Sequence, residues 1–171
     1  MASKFAEKAC QFLTASTDPF HAVANAAKRL EAAGFMKVRY NNHAPPTLQA
    51  GGKYYYTCQH STIVAFTVGQ HYNPSVPPVF HIVGGHSDSP NLRVKPRTKK
   101  QPKHGNIQLG VECYGGGLWF TWYDRDLSLS GKVLVRLDDN TIVPRLVQLG
   151  DPIARVSTLA IHLQSAEERR S

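Results

Sequence analysis

Residues 79–83, Val79-Phe80-His81-Ile82-Val83, are a short β-branched and aromatic run, followed directly by Gly84-Gly85-His86-Ser87-Asp88-Ser89-Pro90. Such a run reads as a buried strand. The two glycines end it, and the chain then delivers a histidine and an aspartate two positions apart. In open α/β sheets, ligand sites gather outside the carboxyl ends of the strands. Residues i and i+2 of an extended segment point the same way, so His86 and Asp88 can enter one cleft as half of a metal site. Pro90 restrains the turn that follows. A His-x-Asp pair also fits a surface turn with a hydrogen-bonded pair, and these residues alone leave both readings open.

The rest of the chain narrows the classes. Its 171 residues suit one ordinary domain or slightly more. With 42% hydrophobic and 19% charged residues it can build a core and does not read as a disordered tail. The net charge of +8 permits an anionic partner such as acidic peptides, nucleic acid or a membrane surface. No apolar run is long enough to span a bilayer, and the first residues lack the apolar core of a signal peptide. Cys10, Cys58 and Cys113 are odd in number, widely spaced and without a C-x-x-C, which suits reduced thiols. A cytoplasmic protein with no membrane partner is expected.

In chain order, residues 4–15 suit a short helix with Phe5, Cys10, Phe12 and Leu13 partly inward. The next helix is better specified. Asp18 stands at the N-cap, and Pro19 takes the first helical position, where a missing N–H costs nothing. Phe20, Val23, Ala27 and Leu30 make one apolar stripe. Gly34 ends the helix in a left-handed conformation, and Phe35 folds back on Leu30. Residues 40–52 are a loop. Residues 54–58 and 62–68 read as a hairpin around Gln59-His60-Ser61, with 63–68 covered on both faces. Residues 71–78 are a second loop. A basic segment follows Pro90, with Arg93, Lys95, Arg97, Lys99, Lys100, Lys103 and His104. Strands are then expected over 107–113, 118–123, 132–137 and 142–149, punctuated by Gly115-Gly116-Gly117, Ser130-Gly131 and Asp138-Asp139-Asn140. This change of character places a domain boundary near residues 92–105. The last residues do not read as the completion of a fold.

Five blocks together resemble the start of the aspartyl aminopeptidases, the M18 family of zinc metallopeptidases. They are the run from Phe12-Leu13 to Pro19-Phe20-His21-Ala22-Val23; His86-Ser87-Asp88-Ser89-Pro90 with Leu92-Arg93-Val94-Lys95; Val111-Glu112-Cys113-Tyr114-Gly115-Gly116-Gly117-Leu118-Trp119; Trp122-Tyr123-Asp124-Arg125-Asp126-Leu127; and Leu159-Ala160-Ile161-His162-Leu163-Gln164. They keep the family's order. The resemblance implies an α/β fold: the N-terminal part of an α/β/α metallopeptidase sandwich (residues 1–95), followed by part of a β-rich dimerisation domain (residues 96–171), the whole truncated. It implies a cytosolic enzyme with two zinc ions per subunit that removes N-terminal Asp or Glu from peptides and assembles as a dodecamer. By position, His86 matches the first zinc ligand and Asp88 the aspartate that holds the metal-site geometry. His162 matches a histidine that reaches towards a neighbouring subunit's substrate pocket. Neutral imidazole suits zinc, and its second nitrogen usually donates to a carboxylate or carbonyl. The family's other zinc ligands and its general-base glutamate match nothing in these residues, so the chain is expected to be incomplete and inactive by itself.

Two rivals come from other classes. The basic segment suits a nucleic-acid-binding arm, although Trp119, Trp122 and Tyr123 read as core or interface and no nucleic-acid motif accompanies them. A non-catalytic assembly module with exposed strand edges is the other. Gly115 to Gly117 make a tight turn, not a phosphate cradle, and His21 is expected to pack in the first turn of its helix.

Overall fold

The structure is a computed structural model that describes residues 3–39 and 47–167. Of the loop expected over 40–52, residues 40–46 lie outside the described residues. The chain forms two compact units, Met1–Ser89 with Gly131–Leu146, and Pro90–Ser130 with Val147–Ser171. Among the described residues no helix is long and apolar enough to cross a membrane.

The first unit opens with α1 (Lys4–Ala15), capped by Ser3, whose hydroxyl accepts from the Ala6 N–H. Of the four side chains expected inward only Phe12 is partly covered, while Phe5, Cys10 and Leu13 are exposed. Polar contacts fasten this helix instead. The Asn25 amide donates to the Ala15 carbonyl at 2.8 Å, and the Arg29 guanidinium lies 5.1 Å from the Phe12 ring centre. Helix α2 (Pro19–Ala32) forms where its caps and stripe place it. One Asp18 carboxylate oxygen accepts from the Phe20 and His21 N–H groups at 2.9 and 3.0 Å. Gly34 takes φ +83°, and the Phe35 and Gly34 N–H groups close on the Leu30 and Glu31 carbonyls, each at 3.0 Å, as a Schellman end requires.

His21 does more than pack. Its Nδ1 lies 2.5 Å from the second Asp18 oxygen, so one buried carboxylate serves two backbone donors and an imidazole. Asp18→Ala removes the cap and orphans a largely buried ring donor, an expected loss of about 2–4 kcal/mol. Asp18→Asn keeps a capping oxygen and should lose less than half of that. Urea denaturation of the two variants measures the difference.

Strand β2 (Lys53–Cys58) is the centre of a three-stranded sheet in the order β1-β2-β3. It is parallel to β1 (Met36–Lys37) and antiparallel to β3 (Thr62–Thr67). The expected hairpin is present, turning through Gln59 and His60, both at positive φ. Adjacent residues of β2 point to opposite faces, and the two buried tyrosines use this. The Tyr54 hydroxyl accepts from the Gln49 N–H at 2.9 Å, and its ring meets its cross-strand partner Phe66 at 5.6 Å. The Tyr55 hydroxyl donates to the Glu31 carboxylate of α2. A Cβ at Gly52 would come within 2.5 Å of the Tyr54 ring, so that position is confined to glycine. Strand β3 is an edge strand with Ile63 and Phe66 half-buried and the remainder open, not covered on both faces as its composition suggests.

The segment 79–83 corrects the sequence reading. It joins no ladder among the described residues, and Val79, Ile82 and Val83 are 83%, 86% and 99% exposed. A strand exists only where a neighbour pairs its backbone, and an apolar run cannot supply that neighbour itself.

Strands β6 (Ser130–Arg136) and β7 (Ile142–Gln148) pair through the Asp138-Asp139-Asn140 turn, close to the expected ranges. In that turn the Thr141 hydroxyl and N–H hold the Asp139 carboxyl below its usual pKa. In the second unit β4 (Asn91–Val94) pairs antiparallel with β5 (Val111–Tyr114). The basic composition after Pro90 hides β4 from sequence reading, and the strand expected from 107 is confined to β5. Residues 118–123 are not a strand. Trp119–Trp122 form a 3-10 turn in which the Thr121 N–H and hydroxyl both donate to the Leu118 carbonyl.

Candidate metal centre

His86 and Asp88 are brought together, though by a bend in an unpaired segment and not by the end of a paired strand. His86 Nδ1 lies 2.7 Å from the Asp88 carbonyl oxygen and 3.6 Å from its carboxylate. Both groups only accept, so in neutral imidazole the hydrogen sits on Nδ1 and the Nε2 lone pair is free. A histidine that binds a metal through Nε2 has that tautomer, with Nδ1 donating to a carbonyl or carboxylate. The imidazole is 80% exposed and the Asp88 side chain 18%. Asp88 therefore orients the ring through its carbonyl, and its carboxylate is too distant for a direct hydrogen bond.

These two residues do not complete a metal site. Among the described residues no three His, Cys, Asp or Glu side chains converge, whereas a catalytic zinc takes about three protein ligands. What is present fits zinc as one correctly prepared ligand.

His162 lies in the second unit, exposed on the 3-10 turn Ile161–Leu163. Ile161 and Leu163 are exposed too, so this is not a core histidine. The turn follows a latch that sequence reading missed. The Thr158 hydroxyl and N–H donate to the Asp124 carboxylate, holding its pKa below the usual range, and Arg155 adds a smaller pull in the same direction. Arg155 also pairs with Asp126. Bridges between Tyr123 and Val156 and between Leu127 and Ala154 run alongside. Partners some thirty residues apart leave no local signal in the sequence. In the basic segment, Arg93 lies over the Tyr114 ring at 3.4 Å and Lys95 pairs with Glu112 at 3.1 Å, so both engage the β4–β5 ladder.

A sequence model of the family described as Aminopeptidase I zinc metalloprotease (M18) matches residues 12–171. The chain belongs to this family. It is 47% identical over 156 residues to an aspartyl aminopeptidase of Aspergillus oryzae, covering 91% of this chain and 31% of that one. It is 45% identical over 155 residues to a probable aspartyl aminopeptidase of Ricinus communis, covering 89% and 30%. Among solved structures it resembles mApe1 of Chaetomium thermophilum (TM-score 0.77, 37% identity, 92% of this chain and 35% of that one). It also resembles a chain of the Ape4 and Nbr1 complex solved by cryo-EM (TM-score 0.78, 40% identity, 90% and 29%). The M18 resemblance carried by the five blocks is thereby established, and the α/β fold is that of the family. The chain spans about a third of the length of these relatives.

Proposed function

We propose that this chain supplies part of a zinc-dependent aminopeptidase of the aspartyl type, which releases N-terminal Asp or Glu from peptides in the cytoplasm. The 47% identity to an aspartyl aminopeptidase over 91% of the chain carries the reading, and the His86 tautomer supports it. In this proposal His86 is a ligand of one of two zinc ions, and Asp88 holds the ring in its ligating orientation. His162 reaches towards the substrate pocket of a neighbouring subunit. Residues 1–95 belong to the catalytic domain and 96–171 to a β-rich dimerisation domain. The assembly is a homo-oligomer of the dodecameric kind named for mApe1 of S. cerevesiae, with neither nucleic acid nor membrane as partner. Bound zinc supplies a Lewis acid and an activated water for amide hydrolysis. The further donors that a complete site needs come from outside the described residues.

Turnover of peptides with N-terminal Asp, Glu, Leu or Lys tests this. The chain alone should release no amino acid. Joined in one polypeptide to the downstream two-thirds of the Aspergillus oryzae relative, it should release Asp and Glu in preference to Leu and Lys. Preferential release of Leu or Lys contradicts the acidic specificity. A second reading, a non-catalytic assembly module, is favoured by the uncovered apolar run 79–83; a joined protein that assembles without turnover would select it.

A further inference from the structure

A cavity of about 180 Å³ opens in the first unit between α2, the β2–β3 turn and the β6–β7 hairpin. Its apolar wall is built on Phe20 and Val23 of α2, and its polar lining includes Lys37, His60, Lys132 and Arg145. No carboxylate lines it among the described residues, and none of these lysines or Arg145 forms an ion pair there. Lys132 is fixed in place, its ammonium donating to the Gln59 carbonyl at 3.1 Å and lying 4.7 Å from the Phe20 ring centre. Like charges gathered without a counter-ion repel one another, and an anion seated among them relieves that repulsion. We propose that this cavity binds a small organic anion, a carboxylate or phosphate monoester carried on one ring or a short aliphatic body.

The size and lining set the class. A dry cavity of about 150 Å³ accommodates benzene, so one ring fits against Phe20 and Val23 with its anionic group towards Lys37 and Arg145. The bidentate fork of a guanidinium suits both carboxylate and phosphate. Neither His86, Asp88 nor His162 lines this cavity, and its occupation does not depend on zinc.

Equilibrium dialysis of the full chain against phenyl phosphate, benzoate, benzamide and inorganic phosphate tests it. Phenyl phosphate should bind tightest and benzoate next, each at least about tenfold tighter than neutral benzamide, since a charge-assisted hydrogen bond is worth roughly that factor. Inorganic phosphate, which leaves the apolar wall bare, should bind more weakly than phenyl phosphate. Lys37→Gln and Arg145→Gln are exposed changes outside the buried cluster. Each should weaken phenyl phosphate about three- to tenfold, with an unchanged circular dichroism spectrum, and added salt should weaken it further. Benzamide binding as tightly as benzoate, inorganic phosphate matching phenyl phosphate, or full affinity in both variants would each overturn the proposal.

Discussion

Tyr55→Ala should strongly destabilise the first unit. Tyr55 is 1% exposed and is the largest fully buried side chain among the described residues. Removing a buried aromatic ring costs about 3–5 kcal/mol. That is a large share of the 5–15 kcal/mol by which a domain is ordinarily stable, and among the described residues the other buried hydrophobic side chains of the core are Ala22, Val23 and Tyr54. Tyr55→Phe separates the ring from the hydroxyl. It should lose about 1 kcal/mol at neutral pH, the worth of an ordinary hydrogen bond, or up to about 3 kcal/mol because the acceptor is a carboxylate. The same hydroxyl gives the wild-type chain an alkaline signature. Burial, then the hydrogen bond and charge of Glu31, raise its pKa from 10.0 to about 12. A pKa raised by folding means stability that is fully present below pH 10 and lost as pH climbs through 12. Thermal melts from pH 8 to 12 should show this loss in the wild type and a weaker one in Tyr55→Phe.

His86→Ala, made in the chain joined to the downstream portion of a relative, should reduce peptide turnover by more than about a hundredfold. Changing the groups that merely orient a metal-bound histidine already costs about 10–100-fold in metal affinity or activity, and His86 is proposed to be the ligand itself. Asp88 acts on the ring through its main-chain carbonyl at 2.7 Å. Asp88→Asn should therefore keep the ring's tautomer, and any loss it causes reports on the carboxylate alone. A joined protein whose turnover is indifferent to His86→Ala would remove that residue from the metal site.

What the sequence made legible was local. Asp18-Pro19, the stripe Phe20-Val23-Ala27-Leu30 and Gly34 determine α2 within sixteen or so residues, and each acts as its chemistry dictates. The His86–Asp88 proximity was legible from a spacing of two, although a bend in an unpaired segment and not a paired strand produces it. What failed depended on partners. Residues 79–83 have the composition of a buried strand but no neighbour to pair with among the described residues. Strand β4 was hidden because Arg93 and Lys95 mask the alternation with Leu92 and Val94, and their charges are met by Tyr114 and Glu112 across the ladder. The aromatic run at 118–123 suggests a strand, yet hydrogen bonds to the Leu118 carbonyl close it into a 3-10 turn. The Asp124–Thr158 latch joins residues too distant in the chain for any pattern to announce.

His86 is proposed as one ligand of a zinc site whose other donors lie outside the described residues. Zinc titration of the 171-residue chain, read as metal retained after dialysis at neutral pH, tests this most directly. It should retain far less than one zinc per chain, and His86→Ala should change that little. In the joined protein, retention should rise to stoichiometric levels and fall with His86→Ala. Stoichiometric, His86-dependent zinc held by the chain alone would contradict the account.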